Sequence, residues 1–181
     1  MRILNGNVIG SFSVVALLSG YASSLAVGPP EAPEPLRPPA DQVLAFEARA
    51  TGVQIYECSA GQDQAARFEW VFKAPEAELF DKASHKVGKH YAGPTWESTD
   101  GSAVVGEVKA RDAGPDPSAI PWLLLSAKSN SGSGVLSQIK SIQRLETVGG
   151  KAPSAPCTRD TAGQVARVPY KAAYYFYAAK Q

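Results

Sequence analysis

The chain has two histidines, His85 and His90, and these are its best candidates for metal or acid–base chemistry. Imidazole nitrogen binds zinc and copper, and nearby carboxylates can complete a mixed ligand set. The rings are five residues apart and could share an ion only across a turn or bulge. We treat His90, with His85, as a candidate metal site; a backbone-bonded or solvated histidine is the alternative. Carboxylates that could contribute are Glu76, Glu78, Asp81 and Glu97.

Aromatic residues beside one turn indicate a different kind of site. Tyr91 and Trp96 flank Gly93-Pro94, and exposed aromatic faces stack on sugars or apolar ligands. With His90 and Glu97 they make the candidate ligand-binding set, and a binding module predicts that Tyr91 and Trp96 form an exposed aromatic cluster. The alternative for Trp96 is the core, which is where we place Trp70, Trp122, Tyr174 and Phe176.

Motifs of the common enzyme classes are missing, so we predict no catalytic residues and favour a protein without catalytic activity. The sequence has no G-x-S-x-G elbow. The stretch 132–137 matches a dinucleotide-binding fingerprint except that serine replaces its third glycine. The acidic residue that binds the ribose normally follows about 20 positions later, and Glu146 is closer than that. Glu76, Glu78 and Asp100 could include a glycosidase pair, but charged residues on the solvated face of a strand give the same pattern.

The two cysteines, Cys58 and Cys157, indicate a disulfide and an oxidising compartment. A reactive thiol is the rival interpretation, but the chain has neither a CxxC pair nor a cysteine-nucleophile motif. We therefore expect a bridge that connects the beginning of the globular part to its end.

The N-terminus predicts export. Residues 1–26 combine a cationic start at Arg2, an apolar stretch over 8–18 and small residues at 24 and 26, which is the pattern of a signal peptide. The apolar stretch is shorter than the roughly 20 residues that span a bilayer, so we predict no membrane anchor and a location in the periplasm or outside the cell. Residues 27–40 are proline-rich and predict a stiff linker.

Residues 41–181 have the size of a single domain. Without Arg2 the 18 basic residues fall to 17, which equals the 17 acidic ones. A charge near zero argues against nucleic acid or anionic membrane as a partner, whereas a small molecule or a glycan stays open. The oligomeric state does not follow from the sequence.

Two-residue alternation predicts an all-β fold. Residues 52–58 alternate, Phe68, Trp70 and Phe72 share one side of a second strand, and Asp100-Gly101 marks a hairpin turn. A buried strand is expected over 122–125, and a last strand is expected to open at Pro169. We predict a mainly antiparallel β-sandwich or barrel of about eight to ten short strands with at most one short helix. Residues 135–148 fit a helix or a strand equally well, or a short helix or turn leading into a strand, so the strand order stays open.

Six stretches carry a resemblance to a known family: GVQIYEC (52–58), AELFD (77–81), GKHYAGPTWE (88–97), IPWLLLSA (120–127), SIQRLETVGG (141–150) and VPYKAAYYFY (168–177). Together they resemble an exported family of bacteria and fungi called domain of unknown function 3455. The resemblance covers nearly all of 41–181 and implies a secreted single domain with a cysteine pair and no established reaction. It also draws attention to the pair His90-Tyr91. Some fungal relatives carry a malate dehydrogenase label, which the missing dinucleotide fingerprint argues against.

From these observations we expect a binding module for a small molecule or glycan in the envelope or extracellular space. A metal-binding protein or metal-dependent enzyme that uses His90 is one alternative. A structural envelope protein without a ligand is the other.

Overall fold

The computed structural model describes residues 29–61 and 67–181, so the predicted signal peptide of residues 1–26 lies outside the described residues. The described chain forms eight strands and two short 3₁₀ turns, Glu34–Leu36 and Arg159–Thr161. The strands are β1 (Gln42–Ala60), β2 (Phe68–Phe80), β3 (Lys86–Tyr91), β4 (Thr95–Ser98), β5 (Ala103–Asp112), β6 (Trp122–Ser131), β7 (Ile139–Gly149) and β8 (Val165–Ala179).

The strands form one antiparallel sheet in sequence order, and β8 pairs with β1 to close it into a barrel. The all-β prediction is confirmed, with the barrel rather than the sandwich as the architecture and with eight strands. The Asp100-Gly101 hairpin lies between β4 and β5 as predicted, and Gly101 has the positive φ, 84°, that such a turn favours.

Alternation along each strand builds two apolar clusters, one inside the barrel and one on its outer surface. In β8, Tyr170, Tyr174 and Phe176 face inward, whereas Tyr175 and Tyr177 face outward. This division follows from the two-residue period of a strand. Small inward residues lie beside these large ones: Ala172 is between Tyr170 and Tyr174 along β8, and Ala48 and Ala50 of β1 lie opposite Tyr174 and Ala172.

The outer cluster is covered by the proline-rich segment. Leu36 is fully buried against Leu145 and Tyr175, and its carbonyl accepts a hydrogen bond of 2.6 Å from Nε2 of Gln143. Oε1 of Gln143 in turn accepts one of 2.6 Å from the hydroxyl of Tyr177. The segment predicted as a linker, described over residues 29–40, is therefore attached to the barrel by the buried side chain of Leu36 and by the hydrogen bonds that run through Gln143.

One end of the barrel, which carries the β2–β3, β4–β5 and β6–β7 turns, is filled by Leu136. This side chain belongs to the inner cluster, and its amide donates to Oγ of Ser102 at 3.0 Å. Asp100 accepts from the amides of Ser102 and Val135, both at 2.8 Å. Residues 135–138 thus form a turn that leads into β7. Of the three interpretations of residues 135–148, this is the one with a short helix or turn leading into a strand.

The opposite end is incomplete because β3 and β4 are short. β2 pairs with β3 only over 77–80, and β5 pairs with β4 only over 103–105. Among the described strands, none bridges the remaining parts of β2 and β5, residues 68–76 and 106–112. A gap in the wall therefore leads to the barrel interior, and we call it the mouth.

The start of the last strand was predicted wrongly. β8 begins at Val165, and Pro169 lies within it. Proline is tolerated there because residues 165–169 pair only with β1, while pairing with β7 begins at Tyr170.

Cys58 and Cys157 form a disulfide with a Cα–Cα distance of 5.5 Å, which confirms the predicted pair. It joins the end of β1 to the loop between β7 and β8. No helix in the described parts of the chain is long and apolar enough to cross a membrane.

We expect the double variant Cys58→Ser/Cys157→Ser to unfold at much lower urea concentration than the oxidised protein. A bridge across 99 positions restricts the unfolded chain, and the loop-entropy estimate for that length is about 4.7 kcal/mol. Urea titration followed by circular dichroism measures the difference. Reduction of the unaltered protein is the control and should give a similar loss; equal midpoints before and after reduction would contradict the prediction.

Leu36→Ala should lower the free energy of unfolding by about 2–4 kcal/mol, because it removes a fully buried side chain from the outer cluster. Glu34→Ala, in the same 3₁₀ turn but exposed, is the matched control. Urea titration of both variants checks this. If the two variants are equally stable, the proline-rich segment does not contribute to the fold.

Candidate functional site

The mouth opens into a cavity of about 500 Å³ inside the barrel. That volume lies within the range of roughly 300–1,000 Å³ found for small-molecule sites. Most of the wall is apolar and comes from β2, β5, β6 and the segment before β6. The apolar and aromatic residues that line it include Phe72, Pro75, Val108, Ile120, Leu123 and Leu125.

Two of the predicted residues, His90 and Trp96, form one wall of this cavity. They lie directly opposite each other on β3 and β4, and their rings stack at 4.3 Å with an interplanar angle of 12°. Tyr174 of β8 meets both rings edge-on, at 5.1 and 5.2 Å between centroids. Gly106 makes room for Trp96, because a Cβ at that position would lie 2.9 Å from the indole ring. Three strands thus fix an aromatic wall.

His90 is held as a neutral imidazole. Burial lowers its pKa to about 3, and the nearby positive charge of Arg144 acts in the same direction. Its Nδ1 lies 2.8 Å from the carbonyl oxygen of Thr95, so the neutral ring must carry its proton on Nδ1 and donate it there. The lone pair of Nε2 is then available to accept a hydrogen bond.

Three residues that line the cavity carry buried polar atoms without a hydrogen bond of normal geometry. Nε2 of Gln54, Nε1 of Trp96 and the hydroxyl of Tyr174 are buried, and none of them has a hydrogen-bond partner among the described residues. All three residues line the cavity and are at most 2% exposed. Burial raises the pKa of the Tyr170 hydroxyl, and the side chains of Tyr174 and Gln54 lie close enough to it to shift that pKa, although no hydrogen bond of normal geometry is formed. Most buried polar groups in proteins are hydrogen-bonded, so this concentration of unpaired groups is unusual.

The cavity also contains a guanidinium group. Arg144 of β7 donates from Nε and Nη2 to the carbonyl oxygen of Pro121, at 3.2 and 2.8 Å. Burial raises the pKa of Tyr174, and the charge of Arg144 opposes that rise. None of the salt bridges among the described residues involves Arg144.

Two further cations, Lys73 and Arg111, lie at the mouth. The register of β1 and β2 shifts between Ile55 and Tyr56, which makes Lys73 the extra residue of a β-bulge. Lys73 pairs with Glu57 at 3.3 Å, whereas Arg111 is exposed. No aspartate or glutamate is among the lining residues that the structure describes.

The other predicted site residues lie elsewhere. Tyr91 and Glu97 are next to His90 and Trp96 in sequence and therefore face outward, where the hydroxyl of Tyr91 donates to Glu97 at 2.8 Å. This bond is the main cause of the raised pKa of Tyr91 and the lowered pKa of Glu97. The expected exposed cluster of Tyr91 and Trp96 is wrong, because the two-residue period sends the rings to opposite faces and leaves Trp96 buried.

His85 does not face the cavity. Its side chain is 77% exposed in the β2–β3 turn, and Nδ1 lies 3.2 Å from Oδ2 of Asp81. The structure therefore does not bring His85 and His90 to a common site. Within 29–61 and 67–181, no group of three or more histidine, cysteine, aspartate or glutamate residues could hold a metal ion.

The candidate glycosidase carboxylates have other contacts. Glu76 accepts from Arg167 at 2.6 Å, and Glu78 pairs with Lys86 at 2.5 Å, both on the exposed face. Asp100 caps the filled end of the barrel, and its hydrogen bonds from Ser102 and Val135 lower its pKa to about 2. The glycine turn over 132–137 belongs to that cap, and a Cβ at Gly134 would lie 2.1 Å from the carboxylate of Asp100.

Sequence reasoning missed Gln54 and Arg144 and assigned Tyr174 only to the core. A signal for the first two exists: Gln54 shares a face with Tyr56, and Arg144 follows Ile142 by two residues. Each is a polar residue at a core-facing position of a strand. Without the strand order, however, the inward face of β7 could not be identified.

The family model described as "Protein of unknown function (DUF3455)" matches residues 39–178. The chain belongs to this family. The DUF3455 match covers all eight strands except the last residue of β8, and with them the complete cavity. No curated protein and no solved structure matches the chain. Membership of DUF3455 thus confirms the suspected family without assigning an activity.

The buried neutral histidine makes stability depend on pH. The unfolded chain binds a proton near pH 6.5, whereas folded His90 binds one only near pH 3. The stabilisation is therefore complete above pH 6.5 and is lost as the pH falls toward 3. Between pH 6 and 5 we expect the free energy of unfolding to fall by up to about 1.4 kcal/mol per pH unit on this account.

His90→Phe should remove this dependence, and His85→Asn, at the exposed histidine, should retain it. Urea titrations at pH 7.5, 6 and 5 measure the slope, and staying above pH 5 limits the contribution of carboxylates. An unchanged slope in His90→Phe would show that another group is responsible.

Proposed function

We propose that this DUF3455 domain is a binding protein for a small molecule that enters the barrel through the mouth between β2 and β5. The observation that carries the proposal is the set of unpaired polar groups of Gln54, Trp96 and Tyr174 in a cavity with an opening. The ligand would supply the partners that the protein itself lacks.

Energetics support this proposal over a purely structural role. An unpaired buried polar group costs about 1–3 kcal/mol, and replacement by an apolar group of similar shape removes that cost. A barrel that served only as a scaffold would be stabilised by leucine at position 54 and phenylalanine at position 174. Retention of three such groups around one cavity fits a site whose hydrogen bonds are completed by a ligand.

The cavity also favours a small molecule over an extended glycan. Trp96 is buried, and its aromatic neighbour Tyr91 lies on the outer face, so the two rings do not form the exposed platform that stacks on a sugar chain. The apolar residues at the mouth, Phe72 and Val108, are 48% and 37% exposed, which gives a small apolar body a path inward.

We include export in the proposal. The disulfide between Cys58 and Cys157 fits an oxidising compartment, and the pattern of residues 1–26 fits a signal peptide. The ligand would then be a compound of the periplasm or the surroundings of the cell.

The test uses N-phenyl-1-naphthylamine, an uncharged dye whose fluorescence rises in apolar surroundings. We expect saturable binding at one site per chain. Val108→Trp places an indole at the mouth and should weaken binding at least tenfold. Lys109→Trp, on the neighbouring and outward-facing position of β5, is the matched control and should bind like the unaltered protein.

Circular dichroism melting of both variants checks that they fold. Two outcomes would overturn the proposal: no saturable binding to the unaltered protein, or equal affinities of Val108→Trp and Lys109→Trp. The second would place the dye elsewhere on the protein.

A further inference from the structure

We propose that the ligand is a small organic acid, whose carboxylate is bound by Arg144 and whose apolar body packs along the aromatic wall. This inference rests on the proposed function and specifies the chemical class of the ligand. Its first support is the sign of the charges: Arg144 and Arg111 line the cavity, Lys73 beside them pairs with Glu57, and no described lining residue is acidic.

The guanidinium of Arg144 has donors left for a ligand. A guanidinium carries five N–H donors. In this structure the bonds to the carbonyl oxygen of Pro121 come from Nε and Nη2. The bond from Nε fixes the orientation of the planar group, and the remaining N–H groups can donate to an anion in the geometry that arginine uses with carboxylates.

The charge of Arg144 lacks an acidic partner in the described protein. The carboxylates of the salt bridges bind other cations, and Glu146, the nearest acidic residue along β7, accepts instead from the hydroxyl of Tyr175 at 2.8 Å. Besides the carbonyl oxygen of Pro121, Arg144 interacts with the hydroxyl of Tyr174, and because both groups are neutral they do not cancel its charge in the cavity.

The neutral groups around Arg144 are also suited to an anion. Nε2 of Gln54 and Nε1 of Trp96 can only donate, and the hydroxyl of Tyr174 can donate as well. His90 stays uncharged and offers Nε2 as an acceptor, as the hydroxyl oxygen of Tyr174 also does, which suits a hydroxyl or amide hydrogen of the ligand body. An uncharged ligand of equal shape would leave more of these donors and the guanidinium without acceptors.

The size of the space limits the ligand. The cavity of about 500 Å³ is lined by Trp96 and Tyr174 on one side and by Leu123 and Leu125 on another. A single or fused aromatic ring or a compact branched chain fits such walls, while a long acyl chain or a polyanion does not match their depth and charge. The proposed class is therefore a monocarboxylic acid with a compact apolar body.

The experiment compares 2-naphthoate with 2-naphthamide, which have nearly the same shape but differ in charge. Isothermal titration calorimetry at pH 7.5 should show at least tenfold tighter binding of the carboxylate to the unaltered protein. In Arg144→Gln, which can still donate to Pro121, this preference should fall below threefold. Arg49→Gln, the same change at an exposed arginine of β1 that does not line the cavity, is the matched control and should keep the preference.

Binding of N-phenyl-1-naphthylamine separates the two proposals. If Arg144→Gln binds the uncharged dye like the unaltered protein and loses only the preference for naphthoate, the assignment is supported. If the dye binds but the amide binds as well as the acid, or the preference survives in Arg144→Gln, the acid assignment is overturned while the cavity proposal stands. If the dye does not bind the unaltered protein, both fail.

A measurement without substitutions covers the case in which Arg144→Gln does not fold. Raising sodium chloride from 50 to 500 mM should weaken naphthoate binding severalfold and leave naphthamide unchanged, because salt screens the attraction between guanidinium and carboxylate. Equal responses of the two compounds would overturn the assignment.

Discussion

Closure of eight strands into a barrel is the constraint on which the rest of this structure depends. An eight-stranded barrel encloses a space that side chains can just fill or that can hold one small ligand. Here the two ends differ. Leu136 and its hydrogen bonds to the β4–β5 turn fill one end, whereas the short β3–β4 hairpin leaves the wall open at the other. The cavity is the part of the barrel interior that no described side chain fills.

Because side chains alternate along a strand, each strand of the barrel contributes to both the interior and the outer surface. Inward side chains of β8 contribute Tyr174 to the aromatic wall, while outward Tyr177 connects through Gln143 to the proline-rich segment. Neighbouring residues can therefore serve the interior and the outer cover independently. The disulfide adds a covalent connection at the open end, where β1 is still paired with β2 but its pairing with β8 has ended at Glu57.

The fold was largely predictable from the sequence because alternation and turn residues act locally. The Asp100-Gly101 turn, the faces of β8 and the cysteine pair follow from short patterns. The site was less predictable. Tyr91 and Trp96 are close in sequence, but a three-residue turn between β3 and β4 brings His90 opposite Trp96 and sends Tyr91 to the other face. Arg144 and Gln54 come from distant strands, and only the barrel topology brings them to one cavity.

The electrostatic arrangement of the site follows from the same topology. A histidine next to an unpaired arginine would add a second positive charge if it were protonated, but burial and the charge of Arg144 both lower its pKa. His90 is consequently neutral across the ordinary pH range, with its Nδ1 proton fixed by the carbonyl of Thr95. The deep part of the cavity thus has one cation, one fixed acceptor and several donors. That combination distinguishes an acid from a neutral molecule of the same shape more sharply than the apolar walls could, because a hydrophobic pocket discriminates weakly among ligands that fit it, whereas unpaired polar groups discriminate strongly.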